Sequence, residues 1–230
     1  MSEEGNLELA KRALDVGLFT SELEPMLNFW QTQVGVPFAE RLPLGGGLNQ
    51  YRHAIGESVL KVNHSPEPLP EADLAGFRRL TLVRAGLEQV CELEDPDGNP
   101  VVLVPEGSEG IVQLRLSLVV TDLDRHRAFY GGVLGLPERR PGLFEVGVSQ
   151  LELHEGHACL DPVQRARGYR YITLQVFDVR GVHAHILSRG GREGMAPVKV
   201  GDVAHISFVR DQDGNWLEIS QRKSITGSLD

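Results

Sequence analysis

The feature that most limits how this chain can fold is an internal repeat. Aromatic, glycine and proline positions recur 100 residues apart, as in the pairs Phe29/Phe129, Trp30/Tyr130, Gly35/Gly135 and Pro37/Pro137. Within the second half a shorter repeat recurs 56 residues apart, as in Leu118/Leu174, Asp122/Asp178 and Gly135/Gly191. A unit that exposes one apolar face must pair with another unit to bury it, so these repeats indicate a modular architecture.

The repeated unit is predicted to be one strand, one helix and three more strands. In the first copy an apolar strand from Leu14 leads to Ser21, a residue type typical of a helix N-cap, and Pro25 lies in the first helical turn. The helix is expected to end near Gly35, and three extended segments follow at residues 38–42, 48–55 and 58–62. A later unit, around residues 77–104, lacks a segment that could form the helix.

These units predict an α+β fold in which tandem βαβββ modules form cupped mixed sheets. We expect an N-terminal extension at residues 1–13, a first domain at 14–106, a second domain at 111–222 and a tail at 223–230. The polar, glycine-rich residues 106–110 mark the boundary between the two domains.

Charge and composition restrict the partners. The net charge of −9 argues against a nucleic-acid-binding surface, which needs clustered Lys and Arg. No apolar run is as long as a membrane span, and the first residues lack the basic and apolar regions of a signal peptide. We therefore expect a cytoplasmic protein with no membrane partner. Cys91 and Cys159 do not form a CxxC pair and are expected to be free thiols.

Two stretches carry a family resemblance. One is Leu118-Val119-Val120-Thr121-Asp122-Leu123 with Phe129-Tyr130, and the other is Asp211-Gln212-Asp213-Gly214-Asn215-Trp216-Leu217-Glu218, which has a weaker twin at residues 95–99. With these motifs the chain resembles the glyoxalase, bleomycin-resistance and extradiol dioxygenase group, the vicinal oxygen chelate superfamily. The resemblance covers roughly residues 14–221 and describes fold better than reaction, because different sites are built on one scaffold.

The resemblance implies two glyoxalase-like domains, with metal ligands at the first and last strand of each module. In the C-terminal half these positions are Arg115, Glu152, Tyr171 and Glu218. In the N-terminal half they are Asp15, Lys61, Arg79 and Val102, a set that cannot hold a metal. The resemblance therefore implies a working site in a C-terminal cup and a degenerate N-terminal copy.

The side chains at these positions leave the metal question open. Glu152 and Glu218 would supply part of a ligand set for a divalent metal such as Fe, Mn, Zn, Ni or Co. Arg115 cannot ligate, and its guanidinium between the two carboxylates would neutralise the pocket with no metal. Alternatively His154, on the same strand face as Glu152, or His205, on the strand before the final turn, supplies an imidazole.

Three other histidines are expected to have no role in a cup. His126, His183 and His185 lie on predicted helices and are expected to be solvated.

Three functions follow from the resemblance. The first is a small-molecule metalloenzyme of lyase, isomerase or ring-cleaving dioxygenase type, in which Glu218 ligates or acts as a base, Glu152 ligates, and Arg115 and Tyr171 bind substrate oxygens. Tyr171 could also protonate the substrate. The second is a metal-free protein that binds or sequesters a small organic molecule, and the third is a structural partner. The tandem copies either pair within one chain or pair again in a homodimer.

Overall fold

The computed structural model describes residues 7–229 of the chain. Residues 1–6, which make up part of the expected N-terminal extension, and residue 230 lie outside the described part. The chain forms four consecutive modules, and three of them contain a helix.

The first two modules occupy the N-terminal half. Module 1 contains β1 (Asp15–Thr20), α1 (Leu23–Asn28) continued by a π-helical turn (Phe29–Gln33), β2 (Phe38–Gly45), β3 (Leu48–Ile55) and β4 (Ser58–His64). Module 2 contains β5 (Phe77–Val83), β6 (Cys91–Glu94) and β7 (Pro100–Val104). The loss of the helix from module 2 is therefore confirmed.

The C-terminal half contains two complete modules. Module 3 consists of β8 (Leu114–Val120), α2 (Leu123–Arg127) continued by a π-helical turn (Ala128–Val133), β9 (Glu138–Arg140), β10 (Leu143–Val146) and β11 (Ser149–Glu155). Module 4 consists of β12 (Gly168–Gln175), α3 (Val179–Ser188), β13 (Arg192–Val200), β14 (Ala204–Arg210) and β15 (Trp216–Arg222), and a short α4 (Lys223–Thr226) follows.

Local sequence explains where the helices begin. Asp122 and Asp178 cap α2 and α3, because each carboxylate accepts a hydrogen bond from a backbone N–H three residues later, at 2.9 and 3.0 Å. The prediction of Ser21 as the cap of α1 is wrong. The N-cap residue is Glu22, which makes no side-chain capping bond. The hydroxyl of Ser21 instead accepts a hydrogen bond from the backbone N–H of Leu69 at 3.2 Å.

The modules associate in a way that the repeat does not predict. Sheet I has eight strands in the order β13-β14-β15-β12-β1-β4-β3-β2 and so joins module 4 to module 1. Sheet II has seven strands in the order β6-β7-β5-β8-β11-β10-β9 and joins module 2 to module 3. Each sheet therefore combines one module from each half of the chain. The predicted boundary at residues 106–110 falls between β7 and β8, and the domain ranges themselves stay predictions.

Two strands, one from each half of the chain, approach each other closely at the centre of sheet I. β1 pairs with β12 in antiparallel register, with Gly17 opposite Tyr171. A Cβ atom at position 17 would lie 2.1 Å from Cε1 of Tyr171. Only glycine fits at this position, because the tyrosine ring lies across its Cα atom.

One apolar cluster joins both sheets to the helices. It includes Leu18 and Leu60 from sheet I, Leu80 and Leu116 from sheet II, and Trp30 after α1. The polar side chains of the central strands lie on the opposite faces of the sheets, because side chains alternate along a strand. These two opposite faces, called the polar faces here, carry the candidate site residues.

Candidate functional site

The structure divides the predicted C-terminal site between the two sheets. Arg115 and Glu152 lie on β8 and β11 in sheet II, whereas Tyr171 and Glu218 lie on β12 and β15 in sheet I. The expectation that these four side chains line one cup is wrong, because module 4 pairs with module 1 rather than with module 3. Two residues of the supposedly degenerate N-terminal set, Asp15 and Lys61, share sheet I with Glu218.

A buried ion pair lies at the centre of the polar face of sheet I. Lys61 Nζ donates to Glu218 Oε2 at 2.5 Å and to Thr173 Oγ1 at 2.7 Å. The threonine hydroxyl in turn donates to the same carboxylate oxygen at 2.6 Å. Lys61 and Glu218 are only 2% and 8% exposed. Glu218 is therefore buried, and its partner is an ammonium group rather than a metal or the guanidinium of Arg115.

The electrostatics of Lys61 reflect its burial. Burial lowers the pKa of this lysine below its ordinary value of 10.5 because the charged form loses its hydration. The carboxylates of Glu218 and Asp15 act in the opposite direction, since they favour the charged ammonium. Asp15 is fully buried, forms an ion pair with Lys11, and accepts a hydrogen bond from the backbone N–H of Val59 at 2.8 Å.

Tyr171 lies beside this ion pair in a network of neutral donors. Its hydroxyl oxygen accepts hydrogen bonds from Asn63 Nδ2 at 3.1 Å and Gln50 Nε2 at 3.4 Å. Its ring packs against Phe208 and Phe19. Burial first, and then the charge of Glu218, raises the pKa of this tyrosine well above its ordinary value, so the phenol is neutral. The catalytic role of Tyr171 stays a prediction.

A cavity of about 90 Å³ opens beside the Lys61–Glu218 pair. Its polar lining includes Gln50, Arg52, Lys61, Gln175, Glu218, Ser220 and Arg222, and its apolar lining includes Leu42, Leu44, Val200, Val203, Ala204 and Ile206. Arg52 Nε and Arg222 Nη2 both approach Glu40 Oε1, at 3.0 and 2.8 Å. The cavity therefore joins buried charges to an apolar rim.

The polar face of sheet II carries a separate network of charges. Arg115 donates to Gln150 Oε1 at 2.9 Å, to Glu109 Oε2 at 2.6 Å and to Glu152 Oε2 at 3.4 Å. Glu152 also forms an ion pair with Arg140. The charges of this network therefore largely neutralise one another.

Two open cavities of about 860 and 390 Å³ lie over this face. His154 lines the larger one, and its Nε2 atom lies 3.6 Å from Glu152 Oε2, beyond hydrogen-bond distance. Arg115 and Glu152 line the smaller one.

The donors present do not fit a divalent metal in either sheet. Glu152 and Glu218 lie in different sheets and cannot share one ion. Each carboxylate already contacts a cation: Glu218 contacts Lys61, and Glu152 contacts Arg115. Neither an ammonium nor a guanidinium can ligate a metal. Within residues 7–229, no group of three or more His, Cys, Asp or Glu side chains is arranged to hold an ion.

His205 lies outside both polar faces. It is on β14, where Ala204 and Ile206 line the sheet I cavity and the intervening residue points to the other side. Its side chain lines a surface groove with Phe177, Arg180 and Lys199. The prediction of His205 as a ligand in a cup is therefore wrong.

The expectation that the histidines on the helices are solvated is wrong for two of them. His126, on α2, is fully buried rather than solvated, and His183 on α3 is buried as well. The Nδ1 atom of His126 lies 2.8 Å from the carbonyl oxygen of Asp122, and its Nε2 atom lies 3.6 Å from Asp211 and 3.5 Å from Asp213. Burial disfavours the imidazolium, but Asp211 and the other acceptors outweigh that effect and raise the pKa of His126.

Sequence reasoning missed several residues of the sheet I cavity. The motifs do not indicate Arg52, Gln175 or Arg222, and the resemblance places Lys61 in a degenerate half. The sequence does contain a signal for Arg52: Gln50 and Arg52 alternate with Tyr51 along a strand, which is the pattern of a polar sheet face. The partner strand could not be identified from that pattern.

The architecture and the motifs agree with known proteins. Residues 111–219 match the model of the Glyoxalase/Bleomycin resistance protein/Dioxygenase superfamily. This C-terminal part of the chain belongs to that superfamily. Comparison with curated protein sequences finds no match. Among residues 7–229, no helix is long and apolar enough to cross a bilayer.

Solved structures extend the likeness to the whole fold. Glyoxalase I from Zea mays is 16% identical, with coverage of 92% of both chains and a TM-score of 0.73. A variant of that enzyme matches at 14% identity, with 96% of this chain and 97% of the other covered and a TM-score of 0.74. A putative dioxygenase from Bacillus subtilis is 12% identical, covering 94% of this chain and 86% of the other, with a TM-score of 0.69. At these identities the likeness shows the fold alone, in which four modules associate as two pairs.

Proposed function

We propose that this protein binds a small organic molecule on the polar face of sheet I and does so without a divalent metal. One observation carries the proposal: Lys61 Nζ lies 2.5 Å from Glu218 Oε2, at positions where the superfamily resemblance implies metal ligands. The ammonium supplies the positive charge that a metal would supply. It also occupies the carboxylate oxygen that a metal would need.

The burial of the charges supports sheet I as the binding face. A buried charge has a high desolvation cost, and the structure here keeps Arg52, Lys61 and Glu218 nine-tenths buried around one cavity. The larger cavity on sheet II is lined mainly by exposed or half-exposed side chains, and the Arg115–Glu152 network beside it is already neutralised. We therefore favour the smaller cavity over the larger one.

The alternative is a metalloenzyme of lyase or ring-cleaving type. It would require a divalent ion to displace Lys61 from Glu218 or Arg115 from Glu152. Displacing Lys61 leaves a buried cation with no carboxylate partner, which typically costs several kcal/mol. Displacing Arg115 leaves it only the exposed carboxylate of Glu109. Binding of an organic molecule without a metal leaves both ion pairs intact and has no such cost.

The experiment combines metal analysis with a ligand screen. Protein purified without chelators is analysed for Fe, Mn, Zn, Ni and Co, and its thermal unfolding is followed with carboxylic acids, phenols, keto acids and aromatic drugs, with and without EDTA. We expect substoichiometric metal and a stabilising ligand whose effect EDTA does not change. A ligand at one hundred times its Kd should raise Tm by about 5–10 °C.

Matched variants locate the effect. Ser220→Leu, which fills the cavity, should remove the ligand-induced shift, whereas Ser188→Leu, at an exposed position, should keep it. Stoichiometric metal that is lost in Glu218→Gln, or stabilisation that EDTA abolishes, would overturn the proposal, as would the absence of any stabilising compound.

A further inference from the structure

The charges around the sheet I cavity do not balance. Three cations line it, Arg52, Lys61 and Arg222, and Glu218 neutralises Lys61. The two guanidinium groups that remain share a single oxygen atom of one carboxylate, that of Glu40. Asp15 is not part of the cavity lining and forms an ion pair with Lys11. The cavity lining and its direct partners therefore carry one positive charge in excess.

The two guanidiniums are placed to bind an anion. Arg52 is 6% exposed, and its Nη1 atom donates to Gln50 Oε1 at 3.0 Å, which fixes the orientation of the group. Burial first, and then the charge of Arg52, lowers the pKa of Arg222 from its ordinary value of 12.5. Glu40 lies at the rim with 40% of its side chain exposed, so water weakens its electrostatic attraction to the two guanidinium groups. A ligand carboxylate would relieve the repulsion between the two arginines.

A neutral group in the cavity also lacks a partner. Gln175 is 1% exposed and lines the cavity, and its Oε1 atom has no hydrogen-bond partner among the described residues. Buried polar groups are normally hydrogen-bonded, so such a group suggests a missing ligand atom. The amide can present either its oxygen or its NH₂ group to a ligand by a half-turn about its terminal bond.

The rim of the cavity is apolar and exposed. Leu44 on β2, Val200 on β13 and Val203 in the following turn are 45%, 42% and 46% exposed. The interior, at about 90 Å³, is smaller than a cavity that encloses a whole ligand, typically about 300–1,000 Å³. It therefore has room for a head group, while the rest of a ligand would lie against the exposed rim.

We propose that the ligand is a carboxylate with an aliphatic tail, whose head group is bound by Arg52 and Arg222 and whose tail covers Leu44, Val200 and Val203. This inference rests on the proposed function and names the ligand class for the same site. The head group meets the excess positive charge, and the tail removes apolar surface from water.

Isothermal titration calorimetry of the full chain tests the class with three probes of equal length: octanoate, octanamide and octanol. We expect octanoate to bind at least tenfold more tightly than octanamide or octanol. Acetate, which has the head group and lacks the tail, should bind at least tenfold more weakly than octanoate.

Variants assign the contacts. Arg222→Gln should weaken octanoate binding at least tenfold and leave octanamide binding unchanged, whereas Arg189→Gln, at an exposed position after α3, should change neither. Leu44→Ser and Val203→Ser, both at exposed positions where folding should be preserved, should weaken octanoate binding but not acetate binding.

The outcomes separate the two proposals. If octanamide binds as tightly as octanoate, or Arg222→Gln has no effect on octanoate, the ligand class is wrong and the proposed function stands. If octanoate does not bind while a neutral compound stabilises the protein without metal, the class is again wrong. If no compound binds, or binding requires a metal, the proposed function fails first.

Discussion

Lys61 and Glu218 are separated by 157 residues of chain and yet form a buried ion pair of 2.5 Å. One residue comes from the last strand of module 1 and the other from the last strand of module 4. The contact exists because β1 pairs with β12, which brings the two outer modules of the chain into one sheet. Glu218 thus has a protein cation as its partner.

Removing that cation should destabilise the protein. Lys61→Met leaves Glu218 buried with no positive partner, which typically costs about 3–5 kcal/mol. Urea unfolding should show this loss, and the double variant Lys61→Met/Glu218→Gln should recover much of it. Lys199→Met, at an exposed lysine, serves as the control and should change the free energy of unfolding by less than about 0.5 kcal/mol. A Lys61→Met variant as stable as the parent protein would contradict the ion-pair account.

The glycine beneath Tyr171 should tolerate no side chain. Gly17→Ala places a Cβ atom 2.1 Å from the tyrosine ring, so the ring or the β1–β12 pairing must shift. Such overpacking typically costs about 1–3 kcal/mol. Gly132→Ala, where an added Cβ meets no atom within 4 Å, is the matched control. Thermal unfolding of the two variants should differ by several degrees, and equal values of Tm would refute the close approach.

His126 should make the stability of the protein depend on pH. Its pKa is raised in the folded state, so its contribution is fully present below the unfolded-state value of 6.5 and is lost as pH rises through the folded-state value. The stability difference between the parent protein and His126→Gln should therefore shrink as the pH rises above 6.5. Urea unfolding over this rise in pH measures it, with His157→Gln, an exposed site, as the control. A difference that is constant or grows with pH would show that the imidazolium is not stabilised.

Asp95 should titrate far from a normal aspartate. Burial raises the pKa of this carboxyl group from 3.8 to about 6, against the opposing hydrogen bonds from Asn99. The stabilising contribution of the protonated form is present below pH 3.8 and is lost as pH rises through about 6. Carbon-13 chemical shifts of the Asp95 carboxyl group, followed from pH 3 to pH 8, should give a midpoint near 6. A midpoint near 4 would mean that the carboxylate is well solvated.

The repeat in the sequence predicts the modules but not how they pair. The strand Leu48–Ile55, the helix after Asp178 and the missing helix of module 2 all follow from local patterns, and the structure confirms them. Pairing between β1 and β12 depends on contacts between residues far apart in the chain, which a repeat does not encode. A repeat shows which modules are alike, whereas the matching of strand edges decides which modules are neighbours.

The site was predictable only in part for the same reason. Glu218 stood out because its twin position holds Val102, a residue that strands favour. Its partner Lys61 was misassigned because the two belong to different halves. His126 was misjudged because the helix pattern does not show that the turn at Asp211 packs over it. Both errors concern long-range packing.

The central claim is that Lys61 takes the place of a metal beside Glu218. The most direct measurement is an anomalous difference map from crystals grown with excess zinc or manganese and measured at the absorption edge of the metal. The account predicts no anomalous peak beside Glu218, and Lys61 Nζ within hydrogen-bond distance of its carboxylate. A peak about 2.0–2.6 Å from the Glu218 carboxylate, with Lys61 displaced, would contradict it.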